Sequence, residues 1–64
     1  METKIRKILR YSAIEELTGL SRVTLWRMIK TGSFPKPIQL GSNSKGFFED
    51  EIMEWQERKA MGRL

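Results

Sequence analysis

Ser21-Arg22-Val23-Thr24-Leu25-Trp26-Arg27-Met28-Ile29-Lys30-Thr31 is the stretch that decides the fold. It predicts a short helix bounded at both ends. The Ser21 hydroxyl can accept a hydrogen bond from a first-turn backbone N–H, and Gly32 can adopt the left-handed conformation that ends a helix. Leu25 and Ile29 stand four residues apart with Met28 beside them, so one side is apolar and should pack against the rest of the chain. Val23, Arg27 and Lys30 fall on roughly the opposite side, with Thr24 next to them. That side combines charge, a hydroxyl and a small apolar contact, the chemistry needed to touch nucleic acid. Trp26 lies at the border of the apolar arc and is assigned to the core, with its indole N–H within reach of a phosphate as the alternative.

Working toward the N-terminus, the stretch from Tyr11 to Gly19 reads as a first helix. Ser12 followed by Glu15 forms a capping-box pattern, Ile14 and Leu17 share a face, and Gly19 stops the helix. Only Leu20 separates that stop from the cap at Ser21, so the two helices turn sharply on one apolar residue that should plug the corner. Two short helices joined by a tight Gly-containing turn are the sequence form of a helix-turn-helix, here spanning 12–31. Residues 1–10 alternate basic and apolar side chains and read as a short strand or an arm, with Ile5, Ile8 and Leu9 as contacts onto the body.

Toward the C-terminus, Ser33-Phe34-Pro35-Lys36-Pro37 forbids a helix and favours extended geometry. Ile38 and Leu40 alternate with Gln39. A turn-rich stretch from Gly41 to Gly46 follows, and Phe47-Phe48 resumes β-favouring residues, which predicts a two-stranded hairpin over 37–48. Its loop carries Asn43, Ser44 and Lys45, all able to donate hydrogen bonds to phosphate, and glycines that let the backbone approach a ligand. A last helix over 50–61 opens on Glu49-Asp50-Glu51, carboxylates that suit the positive end of a helix dipole. Ile52 and Trp55 face its core side. Leu17, Leu20, Leu25, Ile29, Ile38, Ile52 and Trp55 are read as structural only. The fold class expected is mostly α with a small β-hairpin: a winged helix-turn-helix of three helices and a two-stranded wing, forming one domain over residues 1–64.

The 64 residues carry a net charge of +4, unevenly distributed. Residues 1–46 hold nine basic and three acidic side chains, while residues 47–64 hold three and five. The basic part contains the helix pair, which favours a polyanionic partner whose neutralised phosphates release counterions. With no cysteine and no histidine, disulfides and Cys/His metal sites are ruled out, no cofactor is implied, and an enzyme is not expected. A charged N-terminal stretch without a following signal-peptide pattern, and the absence of long apolar runs, predict a soluble intracellular protein without a membrane partner.

The run Leu17-Thr18-Gly19-Leu20-Ser21-Arg22-Val23-Thr24-Leu25-Trp26-Arg27-Met28-Ile29-Lys30, then Gly32, Phe34-Pro35-Lys36-Pro37, Leu40-Gly41 and Gly46, resembles the AlpA family of small phage-associated regulators. That family belongs with the winged helix-turn-helix proteins that include excisionases and the DNA-binding part of MerR-type regulators. The resemblance implies a protein that binds duplex DNA in the prokaryotic cytoplasm, at the nucleoid, and controls transcription of mobile-element genes. RNA polymerase or a recombinase would be the protein partners of such a factor. The family's recognition positions fall on Arg22, Val23, Thr24, Trp26 and Arg27, and its wing on the loop from Gly41 to Gly46. Relatives commonly have arginine where this chain has Asn43, and an arginine or similar polar residue where it has Phe48. Arg27 is the first choice for a base contact, because bidentate arginine to guanine is the commonest specific one. Arg22 and Thr24 are placed for phosphate oxygens or base edges, Val23 for a thymine methyl, and Lys30 and Lys36 for backbone neutralisation. Three other readings stay open: an excisionase-type architectural factor, a protein-binding adaptor, and a small DNA-packaging recognition subunit. Oligomeric state is not legible, since symmetric half-sites would require a dimer and no long apolar seam is visible.

Overall fold

A computed structural model describes residues 4–63. The elements run β1 (Ile8–Leu9), α1 (Tyr11–Thr18), α2 (Arg22–Thr31), β2 (Ile38–Gln39), β3 (Lys45–Phe48) and α3 (Glu49–Met61). The strands form an antiparallel sheet in the order β1-β3-β2. Leu9 pairs with Phe47 and Ile8 with Phe48 on one side of β3, while Ile38 pairs with Gly46 and Gln39 with Lys45 on the other. The expected two-stranded wing therefore carries a third strand from the N-terminal segment. The pairing continues one residue past β1, where the Glu49 N–H donates to the Lys7 carbonyl at 2.8 Å. No helix among the described residues is long and apolar enough to cross a membrane.

The helix-turn-helix follows from local chemistry. Gly19 closes α1 at φ 73°, its N–H donating to the Glu15 carbonyl at 2.9 Å. The Thr18 hydroxyl donates to the Ile14 carbonyl at 2.7 Å and accepts from the Leu20 N–H at 3.2 Å, which fixes the three-residue corner. Leu20 packs against the core, as expected. Ser21 caps α2 by accepting from the Thr24 N–H at 3.2 Å. Gly32, at φ 81°, ends it: the Gly32 N–H bonds the Ile29 carbonyl and the Ser33 N–H the Met28 carbonyl, a Schellman closure.

Three local expectations are corrected. Ser12 is not the cap of α1: the helix starts at Tyr11 after an extended Arg10, with no side-chain capping bond. Leu17 is 61% exposed rather than structural, because the face that turns inward is centred on Ile14 with Tyr11 and Thr18 a turn either way, leaving Leu17 on the far flank. Ile5 is fully exposed, and of Ile5, Ile8 and Leu9 only Leu9 packs against the core.

Ile14, Leu25, Phe34, Phe47 and Ile52 form the core, one each from α1, α2, β3 and α3 and Phe34 from the segment between α2 and β2. Leu9, Tyr11, Leu20, Met28, Ile29 and Trp55 pack around them. Edge-to-face aromatic contacts cross it from Tyr11 to Phe47 (5.1 Å between ring centroids), Phe47 to Phe34 (5.7 Å) and Phe34 to Trp55 (4.8 Å). Each such pair adds about 0.5–1.5 kcal/mol beyond the area it buries. The Trp55 indole N–H donates to the Ser33 carbonyl at 2.9 Å, so α3 also holds the end of α2 in place. Phe34, buried in the core, anchors the proline segment before β2 begins.

Electrostatics join the N-terminal segment to α3. Arg6 makes a two-point contact with Asp50, both bonds 2.9 Å, lies 3.5 Å from Glu51 and stacks over the Phe48 ring at 3.7 Å. Lys7 reaches Glu49 at 3.7 Å. The hydrogen bond from Arg6 holds the Asp50 carboxyl below its ordinary value. The acidic first turn of α3 thus complements both its own helix dipole and the basic arm.

Candidate nucleic-acid interface

Burying Leu25 completely, with Met28 and Ile29 half-buried beside it, fixes the rotation of α2 about its axis. Val23, Trp26, Arg27 and Lys30 then form one exposed strip on the opposite side. Trp26 is 54% exposed, which corrects its assignment to the core. Leu25 lies in the core with Ile29 packed against it, and the Trp26 ring instead supports the Lys30 ammonium at 4.5 Å from its centroid. The pair stands one helical turn apart, so an aromatic plane and a cation present themselves together.

Other residues expected at the interface are more constrained. Thr24 is half-buried, its hydroxyl 3.0 Å from the Ser21 hydroxyl within the cap. Arg22 lies across the first helix, 3.3 Å from the Glu15 carboxylate and 4.7 Å over the Tyr11 ring. Its charge is partly used inside the protein, although the guanidinium stays at the surface. Lys36 stands apart from the wing, in a groove on the other side that it shares with Trp55, Glu51, Glu54 and Arg58.

In the wing, the Leu40 and Gly41 N–H groups both donate to the Ser44 carbonyl, at 2.7 and 3.3 Å. The Gln39 side-chain amide donates to the Gly41 and Ser42 carbonyls from below. The loop is therefore a fastened turn, with Asn43 and Lys45 exposed and Ser44 half-buried. Gly41 has open space around it, but Gly46 does not serve close approach of a ligand. A Cβ there would meet the Ile8 side chain, so this glycine exists to let β1 lie on β3.

Asn43, Lys45 and Arg22 converge on a groove of about 640 Å³ whose other walls are Arg10, Tyr11, Ser12, Gln39 and Ser42. Sequence reading assigned no binding role to Arg10 or Tyr11 and cast Ser12 only as a helix cap. The signal available was the absence of any carboxylate in the first turn of α1, but only the tertiary fold brings that turn beside the wing. Among the described residues Arg6, Lys7, Arg22 and Arg58 make ion pairs, while Arg10, Arg27, Lys30, Lys36 and Lys45 have no carboxylate within 4.0 Å. Of these, Arg27 and Lys30 stand on α2 and Arg10 and Lys45 line the groove beside the wing, while Lys36 stands apart from both.

A helix-turn-helix whose second helix exposes a mixed basic and aromatic strip, flanked by a sheet with a fastened loop, defines the winged helix-turn-helix class. Residues 7–60 match the family described as Prophage CP4-57 regulatory protein (AlpA). The chain belongs to the AlpA family. It is 36% identical over 59 residues to the DNA-binding transcriptional activator AlpA of Escherichia coli (strain K12), covering 83% of this chain and 84% of that protein. It is also 32% identical over 57 residues to the uncharacterized protein ORF88 of Enterobacteria phage P4, covering 89% of this chain. The matched region spans 65% of that phage protein's length.

Proposed function

We propose that this chain is a sequence-specific duplex-DNA-binding transcriptional regulator of a prophage or mobile element. Its helix α2 enters the major groove, the Gly41–Gly46 loop rests on the adjacent backbone, and the whole chain acts as one such domain in the prokaryotic cytoplasm. The observation that carries this reading is the exposed strip of Val23, Trp26, Arg27 and Lys30 opposite the buried Leu25. A helix presenting such a strip is narrow enough for the groove, and its side chains offer a guanidinium for guanine, a methyl contact for thymine and a cation for phosphate. The activator relative of Escherichia coli supports regulation as the role. RNA polymerase is the protein partner this role would require.

Selection of bound fragments from a random duplex library tests the reading and reports motif and motif symmetry together. A defined motif is expected, and Arg27→Ala should flatten base preference at one of its positions. Recovery of no preferred sequence, with the protein folded, would refute sequence-specific recognition.

A further inference from the structure

The groove between the start of α1 and the wing is a candidate site of its own. It gathers three cations, Arg10, Arg22 and Lys45, and no carboxylate among its lining side chains. Arg10 and Lys45, one before α1 and one in β3, have no ion-pair partner among the described residues. Arg22 is held toward it by the Tyr11 ring and by Glu15. Glu15 offsets part of the Arg22 charge, but Arg10 and Lys45 line the same groove without a counter-charge of their own, and a bound anion relieves the repulsion between them. The hydroxyl of Ser12 and the amide of Asn43 add neutral donors beside the cations. The first turn of α1 has no acidic side chain and no side-chain cap, so its positive end adds to the same field.

We infer that this groove binds a segment of the DNA sugar–phosphate backbone, held by Arg10, Arg22 and Lys45 of its lining. The inference rests on the duplex-binding reading above and adds a site to it. Its elements matter because they belong to different parts of the fold: Arg10 and Ser12 precede or open the helix pair, while Asn43 and Lys45 belong to the wing. Backbone seated between them fixes the wing relative to the recognition helix, so the two contacts act as a clamp of set spacing. Such contacts position the protein and carry no base information.

The test is a fluorescence-anisotropy titration of a short random-sequence duplex against the 64-residue chain over a salt series. The variants are Arg10→Gln, Lys45→Gln and Ser12→Asp, with Lys59→Gln on α3 as an equal loss of charge outside the groove. Arg10→Gln and Lys45→Gln should each shallow the salt slope by about one unit and the double variant by about two, while Lys59→Gln leaves it unchanged. Ser12→Asp guards against misfolding: a carboxylate in the first turn favours the helix, so the unfolding temperature should hold or rise while duplex affinity falls. If Arg10→Gln and Ser12→Asp titrate like the parent chain while the duplex still binds, the groove is not a phosphate site and the recognition-helix reading stands. If the parent chain shows no salt-dependent duplex binding, the groove assignment falls together with the reading that supports it.

Discussion

Gly46→Ala tests how the wing is attached to the body. A Cβ built on Gly46 lies 2.5 Å from Ile8 Cγ2, 3.1 Å from Leu40 Cδ1 and 3.2 Å from the Leu9 carbonyl oxygen. Leu40 is exposed and its methyl is the far end of a flexible side chain, so that contact yields cheaply. Ile8 Cγ2 is a branch methyl next to the backbone of a paired strand, and moving it requires a new rotamer or a displaced β1. Overpacking of this kind costs about 1–3 kcal/mol. Alanine at a position without positive φ regains about 0.4–1 kcal/mol by restricting the unfolded chain. The net loss expected is therefore about 1–2 kcal/mol, which lowers the unfolding temperature of so small a domain by roughly 4–16 °C. Removing the obstructing methyl should restore much of it, so Gly46→Ala combined with Ile8→Ala is expected to be more stable than the sum of the two single changes predicts, by at least about 1 kcal/mol. Thermal and urea unfolding of the four chains measure this coupling. Additivity within about 0.5 kcal/mol would refute the steric account of why glycine stands at this position.

Trp26→Ala should leave stability within about 0.5 kcal/mol of the parent, because the ring is more exposed than buried, and should weaken duplex binding; a loss of several kcal/mol in unfolding would return Trp26 to the core. Arg27→Ala is expected to cost roughly 1–3 kcal/mol against its preferred duplex and much less against a random one, read from paired titrations; an equal loss on both would make Arg27 a phosphate contact instead. The Arg6–Asp50 pair predicts an acid-side effect. Because the hydrogen bond from Arg6 depresses the folded-state Asp50 value below 3.8, its contribution is fully present above that value and is lost as pH falls through the depressed one. Arg6→Gln should therefore flatten the fall in unfolding temperature below about pH 4, and a profile of unchanged steepness would contradict the assignment.

Much of the fold is legible without coordinates where the deciding interactions are local. The Ser21 and Gly32 boundaries of α2, the stop at Gly19, the turn-rich wing and the acidic opening of α3 each depend on residues within a few positions of one another. A hydroxyl reaches the N–H three residues on, and a glycine takes a left-handed conformation, whatever lies elsewhere in the chain. The same locality explains why the inward face of α2 could be read from Leu25, Met28 and Ile29: three adjoining apolar residues leave little choice of rotation.

Where the apolar arc is broader than the available space, the sequence leaves the choice open and the tertiary structure makes it. Trp26 and Leu17 both border apolar faces, and both are turned outward because Leu25 with Ile29, and Ile14 with Tyr11, already fill the interior. Charge behaves likewise. Composition alone counts Arg6 and Lys7 in the same basic excess as Arg10 and Lys45, yet folding spends the first two on the carboxylates of α3 and leaves the second two facing one groove. Caps, stops and turns were thus set by near neighbours along the chain, whereas the third strand, the outward tryptophan and the cationic groove arose only from packing between distant segments. Exclusion of volume and pairing of charge operate across space, and no local pattern contains the distances on which they depend.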